Sequence, residues 1–226
     1  AGIQGNGFSS TGGVTTNGRY VTFWSAASNL IKGDTNGTYD VFLRDRIKKT
    51  TNRISVSSQG RQGNNSSGGG WITGDGKFVI FTSNATNLVE GDFNGTAADV
   101  FVRDLSMKHT VKISVTSDGK ASNGQSLLPW AGTRALTRNG RYAVFYSEAT
   151  NLVKDDTNNE FDAFIRDRVA KTTSRLSISS EGVEGNAISV TPVLSDDGKH
   201  IAFRSRASNL VPEDFNDTDD IFMRTP

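Results

Sequence analysis

The chain has no cysteine, so disulfides, thiolate metal sites and cysteine nucleophiles are excluded. Histidine is nearly absent too, with only His109 and His200 available for imidazole chemistry. Long apolar runs are missing: stretches such as Val79 to Phe81 fall far short of the roughly 18 residues a membrane helix needs, so no membrane insertion is expected. There is no basic excess, since 25 Lys and Arg face 24 Asp and Glu for a net charge of +1, and nucleic acid is not an expected partner. Proline is scarce at 4 of 226 residues. Glycine is abundant at 24, above the usual share of about 7%, but without the G-X-Y period of collagen. The N-terminal AGIQGNGFSS has no initiator Met and no basic segment before an apolar core, so residue 1 reads as a processed or engineered end.

What is present is repetition. The segments GRYVTFWSAASNLIKGDTNGTYDVFLRDR, GKFVIFTSNATNLVEGDFNGTAADVFVRDL, GRYAVFYSEATNLVKDDTNNEFDAFIRDR and GKHIAFRSRASNLVPEDFNDTDDIFMRTP begin at Gly18, Gly76, Gly140 and Gly198, at spacings of 58, 64 and 58. The longer interval carries one extra residue between Asp92 and Asp99 and five between Asn123 and Leu136, within GQSLLPWAGTR.

Each repeat has the two-residue period of strands. Val21, Phe23 and Ser25 alternate with Tyr20, Thr22 and Trp24, and the same pattern recurs three more times. A further strand follows each Asp/Asn loop (DVFLRD, DVFVRD, DAFIRD, DIFMRT), and an outer one is alternating and β-branched (TTNRISVS, HTVKISVT, TTSRLSIS). A Gly/Ser-rich strand precedes each Asn-Gly or Asp-Gly turn, the dipeptide that best signals a hairpin. Four strands per unit of about 58 residues is the arrangement of a β-propeller blade, so the expected class is all-β with blades near 8–57, 66–116, 126–179 and 187–226. The fourth blade lacks its outer strand. Two arrangements fit: a closed four-bladed ring with one three-stranded blade, or part of a larger propeller that another segment, another chain or self-association completes.

The string of an (N/D)-G-(R/K) turn, an alternating strand, S/T-N-L-I/V, an Asp/Asn loop and D-V-F-x-R-D resembles TolB-like propeller repeats over essentially the whole chain. The resemblance implies a propeller fold and an extracellular or periplasmic location. Such repeats serve as binding platforms and sometimes as the body of enzymes, so the fold alone selects no activity.

The candidate metal ligands are the Asp-x-Asn loops: Asp34, Asn36 and Asp40; Asp92, Asn94 and Asp99; Asp156, Asn158 and Asp162; Asp214, Asn216 and Asp220. Alternate residues of a tight loop can aim their oxygens at one Ca²⁺, which takes six to eight of them. The same residues also suit a turn in which Asp and Asn bond their own backbone and Asn-Gly supplies positive φ. Sequons at Asn36, Asn94 and Asn216 are explained by that turn chemistry. In a propeller these loops and the Gly-Asn crossovers share one face, on which the insertion with Trp130 and Arg134 is also expected. Those two residues are candidate ligand-binding groups, since a Trp in a polar loop can stack on a sugar or anchor a protein. The Arg-Asp pairs that close the D-V-F-x-R-D strands recur in three repeats and are assigned to structure.

No Gly-x-Ser-x-Gly elbow, phosphate loop or His-based metal motif is present. The leading expectation is a non-catalytic, calcium-stabilised scaffold whose loop face binds a protein or glycan. The alternatives are a multivalent carbohydrate-binding lectin and the propeller portion of a polysaccharide-active enzyme.

Overall fold

The structure, a computed structural model, describes residues 4–92, 94–129, 134–216 and 218–225. Among these residues there are fifteen strands and no helix, in four separate antiparallel sheets. The chain divides into two compact units, Ala1–Lys112 and Ile113–Pro226. In the first unit one sheet runs β1 (Ser9–Val14), β2 (Tyr20–Ser25), β3 (Asp40–Asp45), β4 (Thr50–Arg53), and the other runs β5 (Ser67–Ile72), β6 (Phe78–Ser83), β7 (Asp99–Asp104), β8 (His109–Lys112). In the second unit β9 (Ser126–Leu127), β10 (Tyr142–Ser147), β11 (Asp162–Asp167) and β12 (Thr172–Arg175) form the third sheet. The fourth has three strands, β13 (Ser189–Leu194), β14 (Ile201–Ser205) and β15 (Asp220–Arg224).

Strand order within each sheet follows chain order, as expected of hairpin-linked blades. The hairpin turns use the chemistry the sequence supplies. Thr15 donates to the Asn17 carboxamide at 2.8 Å, Asn17 accepts the Arg19 amide at 3.0 Å, and Gly18 takes a φ of 66° that a side chain resists. The second and third strands of each sheet carry one stacked phenylalanine pair, fully buried in the second and third sheets, with Phe81 on Phe101 at 5.7 Å and Phe145 on Phe164 at 5.6 Å.

Two polar devices repeat with the sheets. The serine ending each second strand, Ser25, Ser83, Ser147 or Ser205, meets a serine of the inner strand and caps the amide of Ala27, Ala85, Ala149 or Ala207. The asparagine of S/T-N-L clamps the Gly-Asn crossover: Asn87 donates to the Gln62 carbonyl and accepts from the Asn64 amide, both at 2.9 Å. Asn29, Asn151 and Asn209 do the same in their repeats. Crossover and Asp/Asn loop therefore emerge at the same end of each sheet.

The Arg-Asp pairs are structural, as expected. Asp45 and Asp167 receive Arg19 and Arg141 and cap the turn that follows. Arg103 and Arg166 are buried and donate to the Ser57 and Thr116 carbonyls, joining each sheet to the segment before it.

Two expectations need correction. The outer strands are short: after Arg53 and Arg175 the chain bends, with the Ile54 amide and then the Ser55 amide both directed at the Val41 carbonyl, at 2.7 and 3.5 Å. That bend turns Ser55 inward toward Asp40. The insertion lies in the middle of the innermost strand of the third sheet rather than in the crossover. Among the described residues, Leu127 pairs with Tyr146 and the next pairing is that of Leu136 with Ala143. The other inner strands bulge at this same point, between Thr11 and Val14, Gly69 and Trp71, and Val190 and Val193, so the extra residues enter where the ladder is already broken.

Gly70 shows how closely the first two sheets approach. It has a φ of 93°, and a Cβ there would lie 2.7 Å from Val41 Cγ1, whereas a Cβ on Gly68 would meet nothing within 4 Å. Gly70→Ala is expected to cost about 2–4 kcal/mol from backbone strain plus overpacking, and Gly68→Ala under about 1 kcal/mol, measured by urea unfolding.

Candidate functional site: the Asp/Asn loops and their buried cations

Each loop folds by local rules. Asn36 accepts the Thr38 amide at 3.2 Å, and its amide nitrogen donates to Asp40 Oδ2 at 3.1 Å and to the Gly63 carbonyl at 3.0 Å. Asn158 repeats this toward Glu160, Asp162 and Gly185, and Asn216 toward Thr218 and Asp220. The second loop is one residue longer, and the enclosed carboxamide of Asn94 has no hydrogen-bond partner among the described residues.

What the two aspartates of each of the first three loops face is a basic side chain from the outer strand. Arg53 Nη2 is 3.1 Å from Asp34 and its Nε 3.3 Å from Asp40. Lys112 Nζ lies 2.9 Å from Asp92 and 2.7 Å from Asp99. Arg175 is 3.1 Å from Asp156, 3.4 Å from Asp162 and 2.5 Å from Glu184, which arrives from the crossover. All three cations and their aspartates are buried, with side-chain exposures of 6% or less. The Arg53 and Arg175 contacts at Nε and Nη2 are ionic rather than aligned hydrogen bonds. Ser55 and Ser177 donate to the outer oxygens of Asp40 and Asp162, each at 2.6 Å.

Burial dominates the titration of these acids. It pushes Asp40, Asp92 and Asp156 above the usual carboxylate range against the pull of the neighbouring cation, and for Asp40 against the Ser55 hydrogen bond as well. Asp162, the most enclosed, is raised to about 6 by burial, with Ser177 and Arg175 opposing. For Glu184 burial also acts upward, but hydrogen bonds from the Thr157 hydroxyl and amide, together with Arg175, hold it below its ordinary value.

Calcium does not fit the first three loops. The carboxylate oxygens that would converge on the ion already enclose a guanidinium or ammonium, and an added dication would lie against a buried positive charge. Of the expected metal ligands in these loops, Asp34, Asp40, Asp92, Asp99, Asp156 and Asp162 face these cations, while Asn36 and Asn158 bond their own loop aspartates. The fourth loop differs. Asp214 has no ion pair among the described residues, and Asp220 receives only the Asn216 amide. The basic residues were the signal that sequence reasoning passed over: Arg53, Lys112 and Arg175 occupy one register position in TTNRISVS, HTVKISVT and TTSRLSIS.

Of the candidate ligand-binding pair, Trp130 lies outside the described residues. Arg134 is exposed and pairs with Asp196 at 3.0 Å. Asp196 belongs to the turn between β13 and β14, so Arg134 sits at the end of its sheet away from the Asp/Asn loops and does not join them.

The fold has counterparts among solved proteins. TolB from Acinetobacter baumannii superposes with a TM-score of 0.53 at 18% identity, over 97% of this chain and 41% of that one. The fold is a TolB-like β-propeller fold. A prolyl endopeptidase superposes with a TM-score of 0.54 at 13% identity, over 97% of this chain and 28% of its own. The chain thus spans less than half the length of either. It matches no protein-family profile, and no curated protein sequence matches it.

Two predictions test the loop chemistry. Arg175→Met leaves Asp156, Asp162 and Glu184 enclosed without a cation and is expected to cost about 3–5 kcal/mol, while Arg53→Lys, which copies Lys112, should cost less than half as much by urea unfolding. Because those three acids lie within 4.8 Å of one another, millimolar calcium should raise the Tm of Arg175→Met by several degrees and leave the parent unmoved. The second concerns pH. Asp162 titrates at about 6 in the fold against 3.8 unfolded, so the folded chain holds the proton more tightly and stability from this group falls as pH rises from about 4 to 6. The difference between parent and Asp162→Asn in unfolding free energy should therefore change by roughly 2–3 kcal/mol across that interval and be flat above it.

Proposed function

We propose that this chain is a non-catalytic propeller module, exported to the periplasm or cell exterior, that docks a protein partner on the end of its sheets carrying the Asp/Asn loops. The observation that carries the reading is the contrast between a rigid base and an exposed apolar tip at that end. In the fourth repeat the Ser189–Ser205 pair and the Asn209 clamp hold the base from which the loop rises, while Phe215, at the tip of that loop, is 86% exposed. Large aromatics presented on a rigid frame anchor protein interfaces, because their area is buried at low entropic cost.

The finer architecture follows the same logic. Val41 and Leu43 of β3 are buried within the first unit, whereas their counterparts Ile221 and Met223 in β15 are 73% and 71% exposed. The exposed pair adds apolar surface to β15.

A glycan is the second reading. It is favoured by a polar recess of about 360 Å³ on the third blade, lined by Asn123, Gly124, Glu148, Thr150 and Asn159, groups suited to sugar hydroxyls.

The test pairs two surface variants. Phe215→Asp should lose capture of a partner from envelope extracts, while Met107→Ser, at another exposed apolar residue in the turn between β7 and β8, should retain it. Equal capture by both variants rejects the loop-face reading. Stoichiometric binding on a glycan array that Glu148→Gln abolishes establishes the lectin instead, and polysaccharide cleavage establishes an enzyme.

A further inference from the structure

The dipeptide Asn-Gly occurs six times, at Asn6, Asn17, Asn36, Asn94, Asn123 and Asn139. It is open to attack by the chain on itself, because the amide nitrogen after an asparagine can reach the side-chain carbonyl carbon and a glycine has no Cβ to shield that nitrogen. What separates the six is how each carboxamide is held. Asn17 and Asn139 accept from Thr15 and Arg19 and from Thr137 and Arg141, and the Gly18 and Gly140 amides are tied to the Thr15 and Thr137 carbonyls. Asn6 and Asn123 donate to Ser28 and Thr150, each at 3.0 Å. The glycine after each of them lies so close to Ala26 or Ala149 that a Cβ would come within 2.7 or 3.0 Å of backbone, which leaves no room for a ring to close. Asn36 donates to Asp40 and Gly63 and accepts from Thr38.

Asn94 has no such partner among the described residues. The cause is one residue of loop length. Asn36, Asn158 and Asn216 each stand four residues before the aspartate they bond, whereas Asn94 stands five before Asp99. Its carboxamide is nevertheless enclosed, so packing alone holds it, at a desolvation cost that movement toward any new partner relieves. Gly95 follows with a φ of 69° and open space where a Cβ would stand, and its amide donates no hydrogen bond among the described residues. Nucleophile and electrophile are adjacent in the chain, and neither is engaged.

We propose that Asn94 is a site of self-modification, converted through a succinimide to aspartate and isoaspartate. The Gly95 nitrogen gives its proton to water and attacks Cγ of Asn94. A new N–Cγ bond replaces the Cγ–Nδ2 bond, and the leaving nitrogen takes up a proton and departs as ammonia. Water then opens the ring at either carbonyl. One amide and one water become one carboxylic acid and one ammonia, and the net charge falls by one, from +1 to 0. The new carboxylate arises in the loop where one ammonium, Lys112, already meets both Asp92 and Asp99. The third cluster also sets three acids about one cation, but there a guanidinium, with more donors than an ammonium, shares the acids with the Thr157 hydroxyl and amide. Modification therefore loosens the second loop.

Asn36 is the internal control. Asn36-Gly37-Thr38 and Asn94-Gly95-Thr96 are the same tripeptide, so their reactivities in the unfolded chain are alike. The folded chain, and the same chain in concentrated urea, are incubated at mildly alkaline pH in heavy-oxygen water and digested with trypsin in ordinary water. Mass spectrometry then follows peptides 33–44 and 78–103, with fragmentation to separate Asn94 from Asn84 and Asn87. In the fold, Asn94 is expected to convert roughly tenfold faster than Asn36 or more, each product carrying one heavy oxygen, and in urea the two rates should agree within about twofold. Deleting Ala97 restores the four-residue spacing and, with an unchanged circular dichroism spectrum, should slow Asn94 to the rate of Asn36. The converted chain, separated from the parent by ion exchange, should melt several degrees lower. Folded-state rates that are equal at Asn36 and Asn94, or faster at Asn36, overturn the proposal, and so does a folded deletion variant that converts Asn94 as fast as the parent.

Discussion

The structure depends on a charge placed where a core would ordinarily exclude it. Two aspartates enter the interior at each loop end, and an isolated carboxylate there is too costly to keep ionised. A basic side chain from the outermost strand meets them in the first three sheets, so the outer strand is tied to the loop that begins the third strand. Such buried pairs add little net stability compared with apolar packing, but breaking one is expensive. They fix which strand lies outermost and in which register.

The remaining polar devices follow from that choice. Ser55 and Ser177 reach the aspartates only because the outer strand bends after its cation, and the bend sends the chain into the crossover. The crossover brings Gln62 or Glu184 back to the same cluster, and the asparagine of S/T-N-L holds it there. One repeat thus reads as a closed circuit of contacts, loop to outer strand to crossover to loop. The fourth repeat keeps the loop and its asparagine clamp but not the cation, and it is there that Phe215 is exposed.

Much of the fold was legible because period and turn chemistry are local. Alternation in YVTFWS and DVFLRD, glycine after Asn17 and Asp75, and the spacing of the repeats place all but one of the long strands' partners. The inner strand of the third sheet was harder to place, because an insertion inside a bulged strand resembles an insertion beside it until the pairing of Leu127 and Leu136 is seen. The site was legible as residues but not as chemistry. Asp34, Asn36 and Asp40 have the spacing of a calcium loop, and nothing local distinguishes an ion from a guanidinium as the centre they surround. The deciding residue, Arg53, is distant in sequence and is brought there by strand pairing with Phe42.

The most direct measurement is a high-resolution crystal structure of the chain grown with millimolar calcium. The account predicts planar guanidinium density for Arg175 between Asp156, Asp162 and Glu184, and side-chain nitrogen from Arg53 and Lys112 in the other two clusters. A spherical peak with oxygen ligands at about 2.3–2.6 Å in those clusters, and the basic side chains displaced, would contradict it.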